Sequence, residues 1–193
     1  MHPRIISVSA TLALLPSLAF AHPGHDETAT FAQGLVHPLS GADHLLAMVM
    51  VGLFAVQMGG RALWLLPATF LAAMAAGSLA GLSGITTAAT EIGIALSVAG
   101  LGAIVALQLR TPLAVATALV AAVALVHGHA HGAEAHGALS LAYVGGFLLG
   151  TAALLAAGML AGLVIPALNH GNLLTRTAGV AVAGTGLLLL TTH

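Results

Sequence analysis

The chain contains very little charge and no cysteine. Only four basic residues, all of them arginine, and five acidic residues occur among its 193 residues, whereas about a quarter of an ordinary soluble domain is charged. Without lysine or a basic patch, the chain has no surface suited to nucleic acid. Without cysteine, disulfides, thiolate metal ligands and cysteine nucleophiles are all excluded.

Most of what is present is apolar. Hydrophobic residues make up 59% of the sequence, and its mean hydropathy is +1.08. Such a chain cannot cover a globule with polar surface, so lipid is expected to be its main solvent. We therefore expect an all-α, polytopic bundle of membrane helices. We expect a single domain, because no linker or low-complexity segment divides the sequence.

The first 21 residues have the pattern of a secretory signal peptide. Arg4 precedes an apolar run that ends in Ala19-Phe20-Ala21, which is a small-residue cleavage site. Cleavage after Ala21 would leave residues 22–193 as one six-helix transmembrane domain. The alternative is an uncleaved helix, although this run is short for a membrane span.

Six apolar windows of helix length follow, and the arginines orient them. The windows cover residues 39–58, 62–82, 90–109, 112–131, 139–165 and 173–192. A cleaved signal places the mature start outside, so the connections after spans one, three and five face the cytoplasm. Arg61, Arg110 and Arg176 each lie in or beside one of these connections, as the positive-inside rule requires. We expect a bacterial inner-membrane protein with both termini in the periplasm.

Ionisable groups open the first expected span, where residues 37–44 read HPLSGADH. An ionisable group in the membrane costs at least about 2.5–3.5 kcal/mol, so its default interpretation is functional. Pro38 and Gly41 indicate a break in the helix, and Ser40 and Asp43 have the spacing of a helix N-cap. The alternative is that Asp43 only caps the helix while the histidines lie among lipid headgroups.

A second polar set ends the fourth expected span, where residues 127–134 read HGHAHGAE. His127, His131 and Glu134 are spaced i, i+4 and i+7, so they share one helix face. Imidazoles at i and i+4 can chelate one transition metal, and a nearby carboxylate adds charge. The alternative is a flexible tract that binds metal loosely, and for His129 this is the better interpretation.

The expected topology brings both sets to one level near the outer face, and it adds weaker candidates. Glu91 begins the third span at that level, where it can also simply complement the helix N-terminus. Met48 follows His44 by one helical turn, and a soft-ligand role competes there with packing. His22 and His25 would form a metal-capture arm at the mature start, unless that terminus is disordered.

The chemistry of these groups selects a class of metal. Imidazole and carboxylate without thiolate suit Ni²⁺, Co²⁺, Zn²⁺ or Cu²⁺ better than Ca²⁺ or Mg²⁺. The leading hypothesis is therefore a transition-metal permease embedded in the bilayer. The alternative is an intramembrane zinc-dependent hydrolase, in which histidine and aspartate hold zinc and activate water.

In these two motifs the sequence resembles the HupE/UreJ family of nickel and cobalt permeases. The resemblance rests on HPxxGxDHxxAM in residues 37–48 and on HGxAHGxE in residues 127–134. It implies a protein that is not an enzyme, has no prosthetic group, and imports Ni²⁺ or Co²⁺ for enzymes such as hydrogenase or urease. The functional positions that the resemblance implies are His37, Asp43, His44, His127, His131 and Glu134.

The topology can be tested with reporter fusions. Reporters placed near Arg61, Arg110 and Arg176 are expected to read cytoplasmic, and one placed near Ala133 is expected to read periplasmic, because positive charge is retained on the cytoplasmic side. Paired alkaline-phosphatase and fluorescent-protein fusions measure this directly. A periplasmic signal at Arg110 would overturn the six-span arrangement.

Overall fold

Every regular element in the part of the chain that the structure describes is helical. The computed structural model describes residues 30–82, 88–134, 141–168 and 170–191. The expected signal peptide and its cleavage site lie outside these residues. The helices are α1 (Phe31–Val36), α2 (Ala42–Met58), α3 (Ala62–Gly81), α4 (Ala88–Ala106), α5 (Leu113–Glu134), α6 (Leu141–Val164) and α7 (Gly171–Leu189), with 3₁₀ turns at His37–Leu39 and Ile165–Ala167.

Helices α2 to α7 coincide closely with the six apolar windows, but they differ in their capacity to span a membrane. Among the described residues, four segments are long and apolar enough alone: Ala62–Gly81, Ala89–Ala106, Leu113–Ala133 and Leu141–Ala167. Helices α1 and α2 pass the same test only together, as a pair bent by 81°. Helix α7 is more polar, since Asn172, Thr175 and Arg176 lie in its first two turns. Length and composition thus identify four or five spans.

The bend between α1 and α2 has a local cause. Pro38 lies in the 3₁₀ turn, and Gly41 is extended with φ −110° and ψ 125°. The expected break is therefore present, but the prediction that Ser40 is the N-cap of α2 was wrong. Gly41 occupies that position, and the Ser40 hydroxyl instead donates to the His37 carbonyl at 2.6 Å. The Ser40 hydroxyl thus stabilises the 3₁₀ turn, and no side chain among the described residues caps the start of α2.

Glycines allow α3 and α5 to touch backbone to backbone. A Cβ on Gly77 would overlap the carbonyl oxygen of Leu125, and one on Gly81 would overlap that of His129. The pairing advances in the same sense on both helices, so α3 and α5 run parallel. Close approach through small residues is the usual basis of helix association in lipid.

Helix α5 contributes its own glycine pair to this contact. Gly128 lies against the carbonyl of Met74, and Gly132 lies against the carbonyl of Ser78. Gly128 follows His127 and Gly132 follows His131 in the sequence. Their position makes the histidine motif part of a helix interface.

The same kind of contact joins α2 to α6. Gly158 lies against Val49, and four residues later Gly162 lies against Val56. These two helices also run parallel. Glycines 146 and 150, one turn apart nearer the start of α6, lie against the backbone of α1. Helix α6 thus supports both arms of the bent segment.

Helices α4 and α7 form the third close pair. Gly179 of α7 lies against Ala106 of α4. Seven residues later, Gly186 lies against Ala99, so these two helices run antiparallel. Large apolar side chains fill the space between the pairs, and Phe54, Phe70 and Leu101 are at most 1% exposed.

The two ends of the bundle differ in charge. Asp43, Glu91 and the histidines of both motifs lie at the end where α2 and α4 begin and α5 finishes. At the other end lie Arg61 and Arg110, which follow α2 and α4, together with Arg176, which donates from Nε to the Ala106 carbonyl at 3.0 Å. The apolar core separates a histidine end from an arginine end.

Substitution of Gly77 by alanine tests the α3–α5 contact. The added Cβ would overlap a backbone carbonyl, and overpacking of this kind costs roughly 1–3 kcal/mol. We expect a lower melting temperature for the purified protein in detergent. Gly100→Ala is the matched control, because nothing lies within 4 Å of a Cβ at that position on α4. Equal melting temperatures for the two variants would contradict the contact.

Candidate metal site

A polar cavity of about 230 Å³ lies at the histidine end of the bundle. The turn before α2, the first turns of α2 and α4, and the last turns of α5 enclose it. Its lining includes most of the groups that the sequence motifs identify: His37, Ser40, Gly41, Asp43, His44, Glu91, Ile94 and His131. Groups far apart in the sequence thus surround one space, because the helices that carry them share an end.

His44 is oriented by its neighbour Asp43. The imidazole Nδ1 of His44 lies 2.8 Å from Asp43 Oδ1, and the same oxygen accepts the His44 backbone N–H at 2.8 Å. An ionised carboxylate only accepts hydrogen bonds, so Nδ1 carries the proton. In neutral His44, the lone pair is then on Nε2, which is buried and has no hydrogen-bond partner among the described residues. A carboxylate behind a histidine is the common arrangement at metal ligands.

His127 is oriented in the same way by its own helix. Its Nδ1 lies 3.0 Å from the carbonyl oxygen of Val123, one turn earlier. Because a carbonyl cannot donate, Nδ1 carries the proton and the lone pair is on Nε2. The residue is fully buried, and its Nε2 also has no hydrogen-bond partner within the described chain. A buried polar atom of this kind normally requires an explanation, and a metal ligand is one.

His131 and His37 form the outer part of the group. His37 Nε2 and His131 Nδ1 are 2.7 Å apart, so one imidazole donates to the other. His37 lies on the 3₁₀ turn, and its ring also lies 5.7 Å from that of Tyr143. The ring of Phe147 lies 4.8 Å from that of His131. Two aromatic side chains of α6 therefore hold the outer histidine pair in place.

The histidines from both motifs are in contact. The ring centroid of His44 lies 4.1 Å from that of His131 and 4.9 Å from that of His127. The two motifs thus meet at one end of the bundle, as their expected common level predicted, and His44 and His131 line one cavity. Within the described ranges, however, no three His, Asp or Glu side chains are arranged to hold one metal ion as they stand. The metal-binding side chains therefore lie close together, but they do not converge on one position for an ion.

Glycine allows this crowding. A Cβ on Gly41 would lie 2.7 Å from Asp43 Oδ1 and 3.0 Å from His44 Nδ1, which is closer than such contacts normally come. Gly128 and Gly132 each follow a site histidine and face α3. Gly41 therefore leaves room for the Asp43 and His44 side chains, while Gly128 and Gly132 let α5 approach α3.

The remaining candidates occupy different surroundings. Glu91 lines the cavity, so the structure places it with the main group rather than apart from it. Met48 is fully buried in the apolar core one turn below His44, and His129 is half-buried and is not in the lining. The side chain of Glu134, together with His22 and His25, lies outside the described residues.

Two residues of the site were missed by sequence reasoning. Neither Tyr143 nor Phe147 is among the candidates that the sequence motifs identify. Their spacing of i and i+4 at the start of α6 puts them on one helix face, at the level of the other motifs. This spacing of two aromatic residues was the sequence signal that could have identified them as part of the site.

Comparisons with known proteins agree with the motifs. The model of the family described as HupE / UreJ protein matches residues 10–189. The chain is 44% identical over 191 residues to Protein HupE of Rhizobium leguminosarum bv. viciae, which covers 98% of both chains. No solved structure matches the chain.

Replacement of Asp43 by asparagine tests the orientation of His44. Asparagine keeps the shape of the Asp43 side chain but removes its negative charge. Mutation of a residue that hydrogen-bonds a metal-ligating histidine typically reduces metal affinity about 10–100-fold. Isothermal titration of the purified protein with Ni²⁺ measures this. Ser97→Ala is the control, because the Ser97 hydroxyl bonds the carbonyl of Ile94 in its own helix. Unchanged affinity in Asp43→Asn would contradict a role for the carboxylate.

Proposed function

The chain belongs to the HupE/UreJ family, and from this premise we propose that it is a permease that imports Ni²⁺ or Co²⁺ across the inner membrane. The observation that carries the proposal is the pair of buried Nε2 atoms on His44 and His127. Each has its lone pair fixed by a hydrogen bond at Nδ1, and each lacks a partner among the described residues. Neutral imidazole with a free Nε2 is a preferred ligand for both ions.

The looseness of the site supports transport rather than storage. A structural metal site is closed by a complete set of ligands and retains its ion. Here the donors lie close together without a preformed three-ligand centre in the described residues. A transported ion must bind well enough to enter and weakly enough to leave.

The arrangement also supports stepwise capture. Asp43 and Glu91 give the cavity negative charge, which attracts a divalent cation. His37 and His131 share a hydrogen bond, so an ion that ligates through these nitrogens must displace their proton. His127 is the most deeply buried of the group and is the next donor along the path. We assign Glu134 to the outer end of the same path from its spacing on α5.

The packing directions support six spans. Alternating crossings require α2 and α6 to be parallel, α3 and α5 to be parallel, and α4 and α7 to be antiparallel, and all three relations occur. The arginine end would then be cytoplasmic and the histidine end periplasmic, so the histidine site would face the side from which an imported ion arrives. The polar first turns of α7 do not prevent a crossing, because Arg176 and Thr175 make hydrogen bonds within the bundle.

The hydrolase alternative receives no support from the site. A hydrolytic zinc needs three protein ligands that retain the ion and one open position for water. The described side chains include no such group. Family membership likewise favours a transporter, with hydrogenase or urease as the class of enzyme supplied.

Alanine substitutions at the histidines test the permease proposal. His44→Ala and His127→Ala are each expected to abolish uptake of radioactive nickel, because each removes a buried ligand. Protein in the membrane, measured by immunoblot, is expected to stay at the wild-type level. The assay uses cells or sealed vesicles, with Co²⁺ and Zn²⁺ as competitors.

His193→Ala is the matched control for a lost imidazole, since His193 belongs to neither motif. It is expected to transport nickel like the wild type. Uptake at the wild-type rate by both His44→Ala and His127→Ala would refute the site. A wild-type protein that moves no nickel or cobalt would refute the function itself.

A further inference from the structure

A second polar cavity lies at the arginine end of the bundle. It has a volume of about 180 Å³, which is room for several waters. Helices α2, α4 and α6 end around it, and α7 begins beside it. The polar side chains that line it are those of Gln57, Gln108, Arg110, Asn172 and Thr175. The histidine site uses none of these residues.

The groups of this cavity that can ligate a cation are neutral oxygens. Gln57 donates from Nε2 to the carbonyl of Leu109 at 2.8 Å, and its side-chain oxygen accepts no hydrogen bond from the described residues, so it is available to a cation. Gln108 has a left-handed backbone, with φ 55°, and its amide lies 3.5 Å from the hydroxyl of Thr175 on α7. Among the described residues, no imidazole or carboxylate lines the cavity. Such oxygens hold nickel or cobalt far more weakly than histidine does.

The electrostatics favour the passage of a cation without retention. The C-termini of α2, α4 and α6 direct partial negative charge towards the cavity, and this attracts a positive ion. Arg110 supplies an opposing full positive charge in the same lining. An ion that arrives there is therefore solvated by oxygen donors and repelled by one guanidinium.

The apolar core separates the two cavities. From His44 to Gln57 along α2 is about 20 Å at 1.5 Å per residue. Between these positions Met48, Val51 and Phe54 are fully buried. The same helix thus connects an imidazole-lined cavity with a carboxamide-lined cavity, whose oxygens bind nickel and cobalt more weakly, across a closed core.

We propose that this cavity is the release vestibule of the permease, where a hydrated divalent cation is held weakly before it leaves towards the cytoplasm. The inference rests on the proposed function, and it assigns the release step of transport to this cavity. Its weak donors determine how quickly the ion departs, while the histidines determine how well it is captured. A carboxylate placed in the vestibule should therefore trap the ion.

Asn172→Asp provides the first test. The change conserves shape and adds a charged oxygen donor to the lining. With full-length protein in liposomes and Ni²⁺ alone as the probe, we expect uptake to fall about tenfold, the scale of one added charge-assisted contact. Equilibrium titration in detergent is expected to show an additional bound Ni²⁺ per chain, with affinity at the histidine site unchanged.

Thr177→Asp is the matched control. It adds the same charge to the same helix, but Thr177 is exposed, bonds only its own helix through the Leu174 carbonyl, and is not in the lining. It is expected to transport nickel at the wild-type rate. Gln57→Glu is the second vestibule variant, and it is expected to reproduce slow uptake and the extra bound ion.

The outcomes separate this inference from the function on which it rests. Slow uptake with an extra bound ion in Asn172→Asp and Gln57→Glu, but not in Thr177→Asp, supports the vestibule. Wild-type uptake in both vestibule variants, or equal slowing in Thr177→Asp, overturns the vestibule and leaves the permease intact. Absence of nickel uptake by the wild-type protein overturns the permease and the vestibule together.

Discussion

The site depends on the hydrogen bonds that fix the inner histidines. A neutral imidazole has one donor and one acceptor nitrogen, and its partner decides which is which. Asp43 and the Val123 carbonyl each accept from Nδ1, so His44 and His127 both present a bare Nε2 in a buried space. If the proton were on Nε2 instead, that nitrogen would donate a hydrogen bond and could not bind a metal ion.

That chemistry is inseparable from helix packing. The close contact of α3 and α5 requires Gly77 and Gly81 on one side and Gly128 and Gly132 on the other. Since the second pair alternates with the histidines, the residues that bring the helices together are interleaved with those that line the site. In lipid, where apolar burial gives no advantage over acyl chains, such small-residue contacts are a main source of association.

The bundle also divides its polar groups between two ends. Histidines and carboxylates line the cavity at one end, and carboxamides and an arginine line the cavity at the other, with a closed apolar core between them. A polar group within that core would cost several kcal/mol without a partner. The division therefore keeps unpartnered polar groups out of the apolar core, and it offers a cation different ligands at each end.

The fold class could be predicted from the sequence because its causes are local. Hydropathy and length located helices α2 to α7 to within a few residues, and Pro38 with Gly41 located the bend. Errors occurred where local rules compete. Ser40 has the side chain of a cap, but its hydroxyl bonds the His37 carbonyl in the preceding turn, and the N-cap of α2 is the extended Gly41.

The candidate site was predicted in part, and the reason is geometric. Spacing on one helix put His127 and His131 on a shared face, and alternation of the spans put His44 at their level. Contacts between distant elements have no such signature. The hydrogen bond between His37 and His131, the place of Glu91 in the lining, and the support from Tyr143 and Phe147 depend on how helices pack.

The sequence by itself determined that this chain is helical, resides in lipid and carries two histidine motifs, because composition and periodicity act residue by residue. Only the tertiary structure decided which nitrogens are free, which glycines join which helices, and that a second polar cavity lies beyond the core. Those properties depend on distances between residues such as Gln57 and Asn172 that are remote in the chain. Such distances exist only once the helices have packed.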